Sequence, residues 1–396
     1  MRNDNHRLQK RSPTGSFAAM RTKAENGLRP QATPIPAPFP RPAPAFRPGR
    51  RALLGGLAGL ALPTCRAMAQ PSDLDRQEWA AFQARFTTPD GRVVDTGNAH
   101  VSHSEGQGWG LLFAVRADDR PSFERMLAWT RRNLRRPDDE LHAWRYRPAA
   151  AQPVEDHNNA TDGDICIAWA LLEAAERWGA ASHAALGTAI ARDILRLLVR
   201  RAGAFTVLLP GARGFERDES TIVNPSYYVF PAFAALARAA PDPAWLRLAT
   251  DGLLLLRAGR FGRWELPPDW VRVGTADGSL AMPGYWPPRF SYDAVRVPLY
   301  LAWAGLGAEP VMTKVRQFWA DPAHRYVPAW ADLASDLLSP YPASPGVMAI
   351  ARLAAPQRAL PPDATPPLPR IAQAPDYYSA ALTLLARSAW RDAAAA

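Results

Sequence analysis

The sequence predicts an all-α protein. From Leu74 onward apolar residues recur at the i, i+3/i+4 spacing of helices, strand-like alternation is scarce, and Gly, Pro and Asn gather between the periodic runs. In chain order the runs begin with Asp75 to Phe86, then Glu105 to Ala117, which Ser104 is placed to cap, and Ser122 to Leu134. Asp164 to Trp178 is the clearest of them. Thr161 is a good N-cap there, Asp162 and Asp164 fall in the first turn, and Ile165, Ala168, Leu172 and Ala175 keep one buried face. Ala185 to Arg201, Tyr227 to Ala239 and Ala244 to Gly259 follow, then Asp293 to Leu306, Val311 to Trp319, Gly346 to Ala354 and Asp376 to Ser388. The intervening segments Pro148 to Asn159, Gly211 to Pro225, Pro283 to Pro288 and Pro356 to Pro369 are long enough to carry functional residues.

At 396 residues the chain can bury a sizeable core, and no linker divides it after Gln70, so residues 70–396 are read as one domain. The formal charge of +10 suggests a nucleic-acid partner until it is located. Residues 1–69 hold 12 Lys or Arg against Asp4 and Glu25, and the remainder balances at 35 bases against 35 acids. No nucleic acid is therefore expected as a partner. Pro30 to Pro48 is a proline-rich stretch that cannot bury a core. Arg50-Arg51, the Ala52-to-Leu62 run of Gly, Ala and Leu, and Ala67-Met68-Ala69 before Gln70 read as an export signal of twin-arginine type, cleaved after Ala69. The apolar run is too short to span a bilayer, so a periplasmic or secreted chain without a transmembrane segment is expected.

Cleavage there also removes Cys65, which Pro63 makes a poor lipidation site, and leaves Cys166 alone. A disulfide within the mature chain is thereby excluded, and Cys166, among apolar neighbours, reads as a small buried hydrophobe. Lys314 is the one lysine of the mature chain, which argues against Schiff-base chemistry and phosphate cradles.

Three acidic sites stand at helix starts: Glu105, the Asp162/Asp164 pair, and Asp293 with Arg296 one turn on. Each has a plain explanation, because the helix macrodipole favours acids in the first turn and an Asp–Arg pair steadies a helix start. Carboxyls at helix starts can also do acid–base chemistry, one protonating a leaving group while another activates water. Other chemistries fit less well. Gly106-Gln107-Gly108-Trp109-Gly110 is not a dinucleotide fingerprint, since Leu111 stands at the third glycine position and no strand precedes it. His100-x-x-His103 has no third ligand at a useful spacing, so no metal is expected.

Ala160-Thr161-Asp162-Gly163-Asp164, with Ile167-Ala168, Ala170-Leu171-Leu172, Ala174 and Trp178 behind it, resembles the signature of glycoside hydrolase family 8. Glu105-Gly106-Gln107, Tyr292-Asp293-Ala294-x-Arg296 and Asn224-Pro225-Ser226-Tyr227 resemble further segments of that family. The match departs at Gly108-Trp109, where a small polar residue and Tyr are more usual. The resemblance covers most of residues 90 to 390. It implies an (α/α)6 barrel, no cofactor, and an inverting endo-β-1,4-glucanase acting on cellulose-like β-glucan chains. The build resembles the endoglucanases associated with bacterial cellulose synthesis, which implies the cellulose synthase and export machinery as a partner. Chitosanase, reducing-end xylanase and mixed-linkage glucanase stay open, as does a glucan-binding assembly protein with little catalysis.

By the same resemblance Glu105 is the general acid, Asp293 the general base, and Asp162 the residue that binds and helps distort the sugar, with Asp164 beside it on the substrate. Arg296 is expected to hold Asp293 ionised. For Glu105 to keep a proton at a helix start, Asp162 and an apolar wall such as Trp109 must oppose the macrodipole. Among 14 Trp and 10 Tyr, the expected sugar contacts are Trp109, Trp144, Trp286, Tyr227 and Tyr292, which lie near acids or in loops. Trp169, Trp303 and Trp319 fall inside helical runs and are expected in the core.

Overall fold

The structure, a computed structural model, describes residues 70–355 and 368–394. The expected leader over residues 1–69, Cys65 included, and most of the Pro356 to Pro369 segment lie outside the described residues.

Each periodic run is a helix. They are α1 (Asp73–Phe86), α2 (Ser104–Arg116), α3 (Arg120–Leu134), α4 (Thr161–Trp178), α5 (Ala181–Leu198), α6 (Phe230–Ala239), α7 (Pro243–Ala258), α8 (Arg296–Trp303), α9 (Pro310–Trp319), α10 (Pro345–Ala354) and α11 (Tyr377–Ala394). An amphipathic helix must cover its apolar stripe, and here the stripes close a circuit. α2 packs on α4, α4 on α6, α6 on α8, α8 on α10, α10 on α11, and α11 returns to α2. Outside this ring α3 lies on α2, α5 on α4, α7 on α6, α9 on α8 and α1 on α11. The architecture is the expected (α/α)6 barrel. α2 and α4 are apolar nearly all round, as helices enclosed on every side must be. Among the described residues no helix is long and apolar enough to cross a membrane.

Where element ends differ from expectation, a distant partner is the reason. The run read as helix to Arg201 stops at Leu198, because β3 (Val199–Ala202) turns through Gly203, at φ +56°, and pairs with β4 (Phe205–Leu208). Thr161 does not cap α4. Its hydroxyl donates to the Leu209 carbonyl at 2.6 Å and its N–H to that of Pro210, so the hairpin's end holds the start of α4. The Tyr227 region forms a single 3₁₀ turn, Pro225–Tyr227, before α6 begins at Phe230.

Two buried polar groups tie the ring together. Gln107 is fully enclosed: its Oε1 accepts the Val93 N–H at 2.5 Å, and its Nε2 donates to Thr130 Oγ1 at 2.8 Å and to the Gly91 carbonyl at 3.2 Å. It thus joins α2 to α3 and to the loop below. At the far end of α2, Arg116 bonds Glu173 of α4 through Nε and Nη2 and reaches Asp392 of α11 at 2.8 Å, its guanidinium lying over the rings of Trp169 and Trp303. Those two tryptophans and Trp319 are buried, as expected. Cys166 is buried too, and enclosure pushes its thiol up.

Replacing Gln107 by Leu strands the buried Val93 N–H, and urea unfolding should show a loss of about 1–3 kcal/mol. Gln107→Glu keeps an acceptor but sets a buried carboxyl oxygen against the Gly91 carbonyl and should lose at least as much; parent stability in either variant would contradict this role.

Candidate active site

The ring's helices present their starting ends to one mouth. Glu105 is in the first turn of α2, Asp162 in the first turn of α4, Ser226 and Tyr227 precede α6, and Asp293 precedes α8. Helix starts carry about half a positive charge each, so the mouth is a place where acids can be enclosed.

One side chain joins them. Arg296, the first residue of α8, is 1% exposed. Its Nη1 contacts Glu105 Oε1, and its Nη2 lies 2.9 Å from Asp293 Oδ1 and 3.3 Å from Asp162 Oδ2. Nη2 also donates to Ser226 Oγ at 2.9 Å, and Asn224 Oδ1 accepts both the N–H and the hydroxyl of that serine. The guanidinium lies over the rings of Trp109 and Tyr227, its carbon 5.6 and 5.8 Å from their centroids. The sequence paired Arg296 with Asp293 alone; the structure gives it all three carboxyls.

Removing several like charges from water costs several kcal/mol apiece unless they are compensated. One guanidinium and partial charges from the helix starts do not balance three full negative charges, so the cluster favours holding a proton on one of its carboxyls. Solvent access divides them further. The Glu105 and Asp293 side chains keep 12% and 16% of their surface, whereas Asp162 keeps 3%.

The glycine between the two acids of α4 sets how closely α2 and α4 meet. A Cβ on Gly163 would sit 2.6 Å from the backbone nitrogen of Glu105 and 2.7 Å from the Ser104 carbonyl carbon. Glu105 and Asp162 therefore share a guanidinium because a glycine lets the two helix starts touch. Asp164 points elsewhere. Two residues on is more than half a helical turn, so it cannot share the face of Asp162. It is fully enclosed, its Oδ1 accepting the His142 N–H at 2.9 Å and lying 3.0 Å from the ring Nδ1, its Oδ2 accepting from Asn159. Desolvation, the largest influence, raises its pKa, against the bonds from His142 and Asn159. Expected as a sugar contact, Asp164 instead ties the His142 loop to α4.

The expected aromatics divide in the same way. Trp109 and Tyr227 are 1% and 7% exposed and serve as the seat of Arg296. Trp144 is fully buried, donates from Nε1 to Asp156, carries Arg145 on its ring, and its carbonyl accepts the Ser104 N–H. Two of the set reach the surface. Trp286 stacks at 4.6 Å on Trp270, which stacks in turn on Phe215, with half-exposed Tyr285 at the outer end. Tyr292 bonds Tyr341 at 3.0 Å and accepts the Tyr378 hydroxyl on its carbonyl. His100 is exposed, and among the described residues no group of three His, Cys, Asp or Glu is placed to hold a metal.

Asp269 escaped the sequence reading. It precedes β6 (Val271–Gly274) and faces the turn of Asp293, accepting the N–H groups of Ser291 and Ala294 and the Ser291 hydroxyl. Burial first, then the charge of Asp293, pushes its carboxyl up to about 7. Ser291, two residues before Asp293, is thus engaged across the chain; the sequence shows the serine but gives no sign of its partner.

Residues 57–392 match the family model for glycosyl hydrolases family 8. The chain belongs to that family. A probable endoglucanase of Novacetimonas hansenii is 46% identical over 325 residues, 82% of this chain and 93% of that protein. An endoglucanase of Cellulomonas uda is 38% identical over 288 residues, covering 72% and 79% of the two chains. Among solved structures, the endo-β-1,4-glucanase CMCax from Acetobacter xylinum aligns with a TM-score of 0.76 at 46% identity, over 81% of this chain and 98% of its own. This family 8 member is a glycoside hydrolase, and its three acids around one arginine are the candidate catalytic centre.

Gly163→Ala in this family 8 chain should force α2 and α4 apart, with a stability loss of about 1–3 kcal/mol and a larger relative loss of hydrolysis. Thermal unfolding alongside reducing-sugar release checks this, and full activity in a folded variant would contradict it.

Proposed function

We propose that the chain is an endo-β-1,4-glucanase that cleaves cellulose-like β-glucan with inversion, using Glu105 as general acid and Asp293 as general base. The observation that carries this reading is that one buried guanidinium gathers three carboxyls, of which Glu105 and Asp293 keep the most solvent access. A relative 46% identical is called a probable endoglucanase, and a structure at the same identity an endo-β-1,4-glucanase, which sets the substrate class.

In the step, Glu105 gives its proton to the glycosidic oxygen as the C1–O bond breaks. Water attacks C1 from the opposite face while Asp293 takes its proton, so Glu105 ends ionised and Asp293 protonated, and exchange with solvent restores both. Asp162, held on Arg296, binds the sugar at the cleavage point. Arg296 keeps Asp293 charged before attack. The Trp286–Tyr285 end of the aromatic stack and Tyr292 with Tyr341 offer flat apolar surfaces for pyranose rings along the cleft.

The leader over residues 1–69, with Arg50-Arg51 and Ala67-Met68-Ala69, supports export to the periplasm or beyond, with cleavage after Ala69 and residues 70–396 as one catalytic domain. Partnership with a cellulose synthase and its export machinery accords with that route.

Glu105→Gln and Asp293→Asn should each lower hydrolysis of carboxymethylcellulose by about 10²–10⁴-fold with unfolding temperature kept. NMR should show the α-anomer first. Substantial activity in either folded variant, or faster turnover of chitosan or xylo-oligosaccharides by the parent, would overturn the assignment.

A further inference from the structure

The turn that carries Asp293 is irregular. Asp293 precedes α8, whose first N–H groups are met locally, that of Arg296 by the Asp293 carbonyl at 3.0 Å and that of Val297 by the Ala294 carbonyl at 3.0 Å. The turn just before the helix is held by Asp269, from another part of the fold. Its Oδ1 accepts the N–H of Ser291 at 3.1 Å and of Ala294 at 2.7 Å, and its Oδ2 accepts the Ser291 hydroxyl. These bonds bracket Tyr292 and Asp293 on both sides. Asp269 is itself pinned, its N–H donating at 2.7 Å to the carbonyl of Arg289 in β8 (Arg289–Phe290).

A carboxylate is a costly choice for this task. It is desolvated, at 8% exposure, and it sets a like charge against Asp293. A neutral amide would accept the same backbone donors without that repulsion, so a requirement other than folding favours the charge. We propose that Asp269 is a positioning residue for the hydrolytic step: it fixes the Ser291–Ala294 turn at which Asp293 meets Arg296, and its charge makes Asp293 a stronger base. The proposal rests on Asp293 being the general base.

The charged groups around the turn are Asp293 and Arg296, and on β8 Arg289, whose side chain lies over Trp330 and near Asp332. With its carboxyl pushed up to about 7, Asp269 changes charge close to neutrality. The sign follows. Above about pH 7 Asp269 is ionised beside Asp293 and makes it a stronger base; below, Asp269 is neutral and acts through its hydrogen bonds alone. Replacing the carboxyl by an amide therefore removes the charge effect on the alkaline side only.

The test measures kcat and KM on carboxymethylcellulose over about pH 4–9 for the full chain and for Asp269→Asn, Asp269→Ala and Ser291→Ala, with thermal unfolding of each. Asp269→Asn keeps an acceptor for the backbone donors and should fold. Its kcat should fall about tenfold above pH 7, where Asp269 is charged in the parent, and by about threefold or less near pH 5, where it is not, with KM within about twofold throughout. Asp269→Ala should be slower again, and Ser291→Ala should lie between parent and Asp269→Asn. A folded Asp269→Asn whose kcat deficit is the same near pH 5 as above pH 7 overturns the proposal. Asp293→Asn serves as the reference: activity in that variant removes the base assignment instead, so the two failures are distinguishable.

Discussion

The mouth of this barrel is organised by the contact between the Arg296 guanidinium and three carboxyls. Each acid comes from a different part of the chain, and each would repel the others without a shared cation. The arginine is in turn held by Ser226 and lies over the Trp109 and Tyr227 rings. α2, α4, α8 and the turn before α6 are thus fixed relative to one another by a single planar group with several donors. A lysine, a point charge on a flexible stem, has neither the fork nor the flat faces to do this.

The same device occurs twice. Near the other end of α2, Arg116 lies over Trp169 and Trp303 and bonds Glu173 and Asp392. The difference between the two lies in charge. Arg116 faces two acids, and Glu173 is bound at both oxygens, so that network is structural. At the mouth three acids share one arginine, and two of them retain surface where a substrate or water can reach them. An excess of carboxyls with partial access is what acid–base chemistry needs.

The helices were legible because their signal is local. Apolar spacing located each run, and the motifs around Glu105, Asp162 and Asp293 located the acids. What stayed hidden depends on partners far along the chain. Thr161 looks like a cap, but Leu209 engages it instead, and nothing local marks Asp269 as the partner of Ser291. Trp109 and Tyr227 look like sugar walls, but Arg296 lies over both rings. Val199 to Ala202 continues a helical pattern until Phe205 to Leu208 offers it a strand partner. The separation of Asp162 from Asp164 was readable in principle, since residues two apart on a helix do not share a face. Closure of the ring was not; it came from the resemblance to the family and is seen in the packing of α11 on α2.

If the guanidinium is what allows three acids to be enclosed together, removing it must hurt most when they are charged. The direct measurement is urea unfolding of Arg296→Met against the parent across about pH 4–8. The account predicts a deficit of about 3–5 kcal/mol near neutrality. Without the arginine, the folded-state carboxyls titrate above their unfolded values, so stability survives at low pH and is lost as pH rises through them. The deficit should therefore shrink toward pH 4. A deficit that is small at neutrality, or that stays the same across the range, would contradict the central role given to Arg296.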